Sequence, residues 1–202
     1  MALHQDGGKW AADRSGGATP LSNIGGFEVD SVTANPFNIS TTANSSHIMN
    51  TNCMGTFSSK NPNYYTYRGF FLRNIQDYVL YFDDMKTWII YKGKNISYTE
   101  IKPSFQLNPN EKGLVHVNFS VSSKDMDSAA ATSIVKDWSR GVVEFNVNVK
   151  GVVTGYNLHT IDVLEKRSIR VSRKEIKVGF SLNLTTGSML DGLRKCNIAF
   201  SN

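Results

Sequence analysis

The sequence predicts a mainly β fold, an antiparallel β-sandwich of about seven strands with one main α-helix. Apolar and polar residues alternate over 142–156, so that one face of a strand is apolar and the other polar. The apolar face consists of Val143, Phe145, Val147 and Val149. A helix is predicted directly before it, at about 124–140, because apolar residues recur there every fourth position. These residues are Met126, Ala130, Ile134 and Trp138.

The remaining strands are predicted from shorter alternating stretches and from the turn signals between them. They lie at 27–34, 37–41, 47–59, 114–122, 169–171 and 176–182. The segments 87–91 and 96–102 form a hairpin around Lys92-Gly93-Lys94-Asn95. Two points stay open: the stretch 64–82 fits a helix by spacing and a strand by aromatic content, and Arg173-Lys174 either turns the chain or forms a bulge.

The composition fits one globular domain and excludes a disordered chain. Of 202 residues, 40% are hydrophobic and 19% are charged. We predict a flexible, glycine-rich leader at 1–26, a sandwich domain at 27–185 and a tail without clear period at 186–202. No apolar run approaches the roughly 18 residues that span a bilayer, and 1–26 has no apolar core of signal-peptide type.

The two cysteines, Cys53 and Cys196, are too far apart in sequence for a CxxC or zinc motif. We interpret them as independent thiols, with a single disulfide as the alternative in an oxidising compartment.

The sequence contains no motif typical of an enzyme, a metal site or a cofactor site. The four histidines lack metal-ligand spacing, and there is neither a GxSxG motif nor a glycine-rich phosphate loop. Asp83-Asp84 is the one adjacent carboxylate pair, which we interpret as turn and strand-edge charge just before a strand. A calcium or catalytic pair is the alternative.

A cluster of cations near the C-terminus is the candidate binding feature. Six lysines and arginines occur within twelve residues, in a chain whose net charge is +5. The contact residues predicted for an anionic partner are Arg170, Arg173, Lys174 and Lys177. The partner would be an anionic lipid headgroup, an acidic cell-wall polysaccharide or an acidic protein. The alternative is a solvated strand edge that discourages aggregation. Nucleic acid is disfavoured, because no aromatic residues interleave with these cations.

Five N-x-S/T sequons provide possible glycosylation sites. They are at Asn38, Asn44, Asn95, Asn118 and Asn183. Asn95 in the predicted hairpin loop and Asn118 on a polar strand face are expected to be accessible.

Several segments resemble the plant late-embryogenesis-abundant group 2 family, and within it the NDR/HIN-like (hypersensitive-response-induced-like) proteins. The resemblance covers about 27–196. The segments that carry it are TFSSKNPN at 56–63, YFDDMKTWIIYKGKNIS at 81–97, VEFNVNVKGVV at 143–153, SIRVSRKEIKVGFS at 168–181 and RKC at 194–196.

The resemblance implies a group 2 β-sandwich with a helix and no enzyme activity or cofactor. It also implies a single-pass plasma-membrane protein whose sandwich faces the apoplast and acts in defence and stress responses. We therefore expect a surface-recognition protein. The alternatives are a lipid-binding module, which would use space between the sheets or the segment 64–82, and a soluble desiccation or stress protectant.

Three features depart from the family pattern. The family's membrane helix is missing ahead of Phe27, which makes a cytoplasmic location the alternative. The residues 64–80 resemble an insertion after the Asn-Pro-Asn turn. Arg173 stands where similar sequences often carry a cysteine, which leaves Cys196 without its expected disulfide partner.

Overall fold

The computed structural model describes residues 21, 24–41, 47–62, 78–122, 126–158, 162–181 and 185–201, and these contain eleven strands and one helix. The strands are β1 (Gly25–Thr41), β2 (His47–Lys60), β3 (Tyr78–Tyr91), β4 (Lys94–Glu100), β5 (Phe105–Leu107), β6 (Lys112–Ser122), β7 (Val142–Asn157), β8 (Val163–Phe180), β9 (Gly187–Met189), β10 (Arg194–Lys195) and β11 (Asn197–Ser201). The helix α1 spans Ser128–Ser139. The predicted mainly β fold with one helix is confirmed, with more strands than the seven expected.

All eleven strands belong to one antiparallel sheet that folds over on itself. Its main order is β4-β3-β7-β8-β9-β1-β2-β6, while β5, β10 and β11 pair with β3, β1 and β8. The strands β4-β3-β7-β8 face β1-β2-β6. The rings of Phe27 on β1 and Phe82 on β3 meet between them, edge to face, with their centroids 5.7 Å apart. The two ends of the order also meet, where Ser97 Oγ of β4 donates a 2.7 Å hydrogen bond to Ser120 O of β6.

The strand β7 lies between β3 and β8 and pairs with both over most of its length. The prediction for 142–156 is confirmed: Val143, Phe145, Val147 and Val149 are buried, and Glu144 and Lys150 are exposed. Burial of a continuous apolar row fixes the register, since a slip by one residue would send the whole row to solvent.

Two predicted interruptions are bulges within continuous strands. The gap between the predicted strands 27–34 and 37–41, at Asn35-Pro36, lies in β1, where the register with β2 shifts between Ala34 and Phe37. At Arg173-Lys174 the chain does not turn: β8 runs through it, and its register with β7 shifts opposite Asn146. Glu175 has a φ of 60° there, as expected where a strand carries an extra residue.

The segment 186–202, predicted as a tail, contains three short strands that help to join the sheet. β9 pairs with both β8 and β1 and so connects the two groups of long strands. β10 pairs with β1 and β11 with β8. At the other end, Leu21 of the predicted leader is buried, and its N–H donates to Glu165 Oε2 at 3.2 Å.

Part of the ambiguous stretch 64–82 is settled as strand. Residues from Tyr78 onward belong to β3, where Leu80 and Phe82 are fully buried between the facing strands. The aromatic and apolar residues there act as strand residues on a pleated, half-buried surface. The rest of the predicted insertion lies outside the described residues.

The helix α1 is tied to the β3–β4 hairpin at both ends. Asp127 caps it by accepting from Ala130 N at 2.7 Å, and also binds Lys94 of β4. At the other end, Asp137 Oδ2 accepts from Tyr91 Oη at 2.6 Å and lies 3.0 Å from Lys92 Nζ. Both aspartates therefore have a pKa below the ordinary value, Asp127 because of Lys94 and Asp137 because of Tyr91.

The first residue of the Asn-Pro-Asn turn has a structural role. Asn61 is completely buried, and its Nδ2 donates to the carbonyl oxygens of Tyr78 at 2.7 Å and Leu107 at 3.0 Å. Its backbone N–H donates to Glu111 O at 2.9 Å. One amide thus connects the end of β2 to the start of β3 and to β5.

We expect Asn61→Ala to lower the free energy of unfolding by roughly 2–4 kcal/mol, because two buried carbonyl oxygens lose their donor. Urea denaturation of both proteins measures the change. Asn52→Ala is the control, since the Asn52 side chain is exposed and its loss should change stability by less than about 0.5 kcal/mol. Equal effects of the two substitutions would contradict the role assigned to Asn61.

The helix contacts predict a loss of stability in acid. The folded-state pKa values of Asp127 and Asp137 lie below their ordinary value of 3.8, so their stabilisation is present above that pH and disappears as the pH falls through the folded values. The double variant Asp127→Asn/Asp137→Asn cannot titrate at these positions. Its unfolding free energy should be lower than that of the wild type at pH 7 and should change less below pH 4, as measured by urea denaturation across pH. An unchanged acid slope would contradict this assignment.

Candidate functional site

The four predicted contact residues lie on β8. β8 pairs with β7 on one side and with β9 and β11 on the other. Arg170 lies where β8 pairs on both sides, whereas the other three fall between its pairing with β11, at 168–172, and its pairing with β9, at 178–180. Arg170, Lys174 and Lys177 are exposed, whereas Arg173 is half-buried.

Arg173 has a structural contact that separates it from the other three. It lies opposite the buried Val147 of β7. Its Nη1 donates to Lys195 O at 3.2 Å, and its Nε is buried without a hydrogen-bond partner among the described residues. The guanidinium therefore helps to hold the segment between β10 and β11.

Lys174 and Lys177 lie at and beyond the bulge of β8. The bulge is held by a 2.9 Å hydrogen bond from Glu175 N to Asn146 Oδ1 of β7. Lys177 lies directly opposite Glu144 in the register of the two strands. Opposite charges in this arrangement attract one another. The negative charge of Glu144 therefore offsets the positive charge of Lys177 at that end of β8.

Arg170 belongs to a row of cations that crosses the sheet. It lies opposite Lys150 of β7, and Lys150 lies opposite Lys86 of β3. Side chains in such positions leave the same face of the sheet with Cβ atoms on the order of 5 Å apart. Sequence analysis missed Lys86 and Lys150, because they come from other strands and only the registers reveal the row.

A bulge in β3 shapes this part of the outer face. The register of β3 with β7 shifts between Asp83 and Lys86, and Asp84 has a φ of 48°. The bulge turns Met85 inward over Gly151, where an added Cβ would collide with the Met85 sulfur. The small residue at 151 therefore allows β3 to place Lys86 beside Lys150.

The row borders a cleft of about 300 Å³ on the outer face. Besides the three cations, its lining includes Trp88, Ser168 and Ser201. A neighbouring cleft of about 400 Å³ shares Trp88 and is also lined by Asn95, Ser97 and Tyr98. The two clefts adjoin at Trp88 and lie over β8, β7, β3 and β4, and we call this pair of clefts the outer groove.

The charges of the row are only partly balanced. Asp84 Oδ1 lies 2.9 Å from Lys86 Nζ, and this contact raises the pKa of Lys86. Glu100, next along the row on β4, pairs with Lys102 at 2.6 Å, which lowers the pKa of Glu100. Neither Lys150 nor Arg170 forms an ion pair with a carboxylate among the described residues.

The carboxylate pair Asp83-Asp84 lies within β3, not before a strand as predicted. Ser104 Oγ donates to Asp83 Oδ1 at 2.5 Å, which lowers the pKa of Asp83, and Asp84 pairs with Lys86. Across the described ranges, no three His, Cys, Asp or Glu side chains group in a way that would hold a metal. His116 Nδ1 lies 3.1 Å from Thr56 Oγ1 on an exposed face.

A small void lies between the facing strands. It measures about 10 Å³ and is lined mainly by apolar side chains, among them Phe27, Phe57 and Phe105. A volume of this size holds about one water molecule.

Two of the five sequons have exposed asparagines in described positions. Asn95 follows the hairpin turn formed by Lys92 and Gly93, and Asn118 lies on the outer face of β6. Asn38 lies in β1, and Asn44 and Asn183 are outside the described residues.

Both cysteines are free thiols. Cys53 is buried and Cys196 half-buried, and burial raises the pKa of each to about 11. Neither thiol is therefore activated as a nucleophile. In the part of the chain that the structure describes, no helix has the length and apolar character needed to cross a bilayer.

Comparisons with known proteins leave the family resemblance without further support. No protein-family model matches the chain, and no curated protein matches it. A solved structure described as a crystal structure of a protein from Archaeoglobus fulgidus is similar over 72% of this chain and 96% of its own chain. The sequence identity is 10% and the TM-score is 0.34, which is too low to indicate a function.

The β8–β11 register predicts where a disulfide can be introduced. Ser172 pairs with Asn197, so Arg173 and Cys196 are the next residues facing each other in this antiparallel pair. We expect Arg173→Cys to form a bridge to Cys196 on oxidation and to gain about 2–3 kcal/mol of stability, less about 1 kcal/mol for the lost arginine hydrogen bond. Thiol titration of the unfolded, oxidised protein should find one free thiol.

Arg173→Ser is the matched control, because it removes the arginine without adding a thiol. It should keep two free thiols and be slightly less stable than the wild type. Three free thiols in oxidised Arg173→Cys would contradict the predicted proximity.

Proposed function

We propose that this chain is a non-enzymatic recognition domain that binds an anionic partner through the outer face of β3, β7 and β8. The observation that carries the proposal is the adjacent pair Lys150 and Arg170, two like charges opposite each other without an ion-pair partner among the described residues. An anionic group bound between them would replace repulsion by attraction. Of the four predicted contact residues, Arg170 is the one that lies opposite another cation.

The resemblance to the plant late-embryogenesis-abundant group 2 family supports a biological setting for this proposal. In that setting the domain is an NDR/HIN-like protein of defence and stress responses, held at the plasma membrane with its sandwich facing the apoplast. Its partner is then an anionic component of the membrane, the cell wall or another protein. The exposed Asn118 sequon is compatible with glycosylation there.

The packing between the facing strands favours surface recognition over a lipid-carrying interior. The void lined by Phe27, Phe57 and Phe105 has a volume of about 10 Å³, whereas ligand pockets have roughly 300–1,000 Å³. The clefts of comparable size described above open on the outer face, and their linings combine charged and polar side chains with apolar ones such as Trp88 and Val152.

Binding to an anionic surface should depend on salt. We expect the full chain to cosediment with phosphatidylcholine vesicles that contain phosphatidylserine, and not with phosphatidylcholine alone. The affinity should fall steeply as the ionic strength rises from about 0.05 M to 0.5 M, because contacts between exposed charges are screened.

A triple variant tests whether the predicted cations make this contact. Arg170→Gln/Lys174→Gln/Lys177→Gln neutralises the three exposed members and leaves the structural contact of Arg173 intact. Its affinity should fall about tenfold or more. Salt-independent binding, or full affinity of the triple variant, would overturn the proposal and favour a protectant that has no fixed anionic partner.

A further inference from the structure

The geometry points to a specific class of anionic ligand: we propose that the outer groove binds an acidic polysaccharide, a chain of sugars that carry carboxylate groups. This inference rests on the proposed function and narrows its anionic partner to one class. The groove combines three features that such a chain requires, namely unbalanced cations, aromatic side chains and a line of hydrogen-bonding groups.

The cations define where a carboxylate binds. Lys150 and Arg170 are cross-strand neighbours, and both border the 300 Å³ cleft. Lys86 borders it too, but its charge is offset by Asp84 at 2.9 Å. The cleft thus has three cations and one lining carboxylate, and the unbalanced charge lies on the Lys150–Arg170 side. A planar carboxylate matches the fork of the Arg170 guanidinium.

The aromatic pair provides an apolar platform beside these cations. The rings of Trp88 and Tyr98 are 5.5 Å apart at an angle of 48°, and Tyr98 is 49% exposed. Lys150 Nζ lies 5.4 Å from the centroid of the Trp88 ring, so platform and cations adjoin. The C–H face of a sugar ring packs on such aromatic surfaces while its polar groups remain free to bind elsewhere.

Polar groups line both ends of the groove. Ser168 and Ser201 border the cleft beside Arg170, and Asn95 and Ser97 border the cleft beside Tyr98. Hydroxyl and amide groups both donate and accept hydrogen bonds, as the hydroxyls of a sugar chain do. The groove therefore offers partners for neutral and charged parts of a saccharide.

The shape of the groove favours a linear ligand over a flat membrane. It crosses four adjacent strands, which are spaced about 4.8 Å apart, a step comparable to the length of one sugar residue. Successive residues of a sugar chain would therefore meet Arg170, Lys150 and the aromatic pair in turn. A linear chain can contact both clefts at once, whereas a single lipid headgroup of a bilayer would occupy one of them.

Calorimetry with alginate oligomers, which are linear chains of uronic acids, tests the proposal on the full chain. We expect saturable binding to alginate at about 0.1 M salt and no binding to dextran, a neutral polysaccharide. Burial of Trp88 should shift the tryptophan emission, and Trp88→Phe should remove most of that shift. Trp138 of α1, whose ring stacks on Phe37 at 5.8 Å, should not contribute.

Matched variants separate this site from general charge attraction. Arg170→Gln and Arg140→Gln each remove one arginine charge, but Arg140 follows α1 and lies outside the residues lining the groove. Arg170→Gln should weaken alginate binding about tenfold, and Arg140→Gln less than twofold. Tyr98→Ala should weaken it about fivefold without unfolding the chain, because that side chain is exposed. Circular dichroism checks the fold of each variant.

The outcomes distinguish this inference from the proposed function. Equal effects of Arg170→Gln and Arg140→Gln, or equal binding of alginate by wild type and Tyr98→Ala, would overturn the polysaccharide site. Binding to anionic vesicles without binding to alginate would overturn it too, while the proposed function would stand. Failure to bind both probes would overturn both.

Discussion

The pairing of β7 with β3 on one side and β8 on the other is the constraint on which the rest of the structure depends. Its alternation buries Val143, Phe145, Val147 and Val149 on the inner face and fixes the register of both neighbours. The same register determines the outer face, because side chains opposite each other on adjacent strands point the same way. Packing of the core therefore decides that Lys150 lies between Lys86 and Arg170.

Strands and helices long enough to show a regular repeat of apolar residues could be predicted from the sequence. Elements too short or too irregular to show that repeat could not. β7, β6, α1 and the β3–β4 hairpin have clear alternation, helical spacing or turn residues, and each lies close to its predicted position. The strands β9, β10 and β11 are three, two and five residues long, too short to show a period. The bulge near Arg173 broke the pattern of β8 and made one strand resemble two.

The candidate site was predicted only in part, because proximity along the chain differs from proximity across a sheet. The sequence grouped four cations of β8, yet the bulge and the side-chain contacts separate them. Arg173 binds the carbonyl of Lys195, Lys177 faces Glu144, and Arg170 joins a row with residues of two other strands. Identifying that row required the registers of β3, β7 and β8, which composition and spacing do not reveal.

The row of cations formed by Lys86, Lys150 and Arg170 is unfavourable for the stability of the sheet. Like charges opposite each other on adjacent strands cost stability, typically some tenths of a kcal/mol, and residues of opposite charge would serve the sheet better. The structure offsets Lys86 with Asp84, and it pairs Glu100 with Lys102, but it leaves Lys150 beside Arg170. Local preferences and fold usually agree in a natural sequence, and they disagree most often at functional positions. This conflict, together with the adjoining Trp88 and Tyr98, is why we propose that the anionic partner binds at the outer groove.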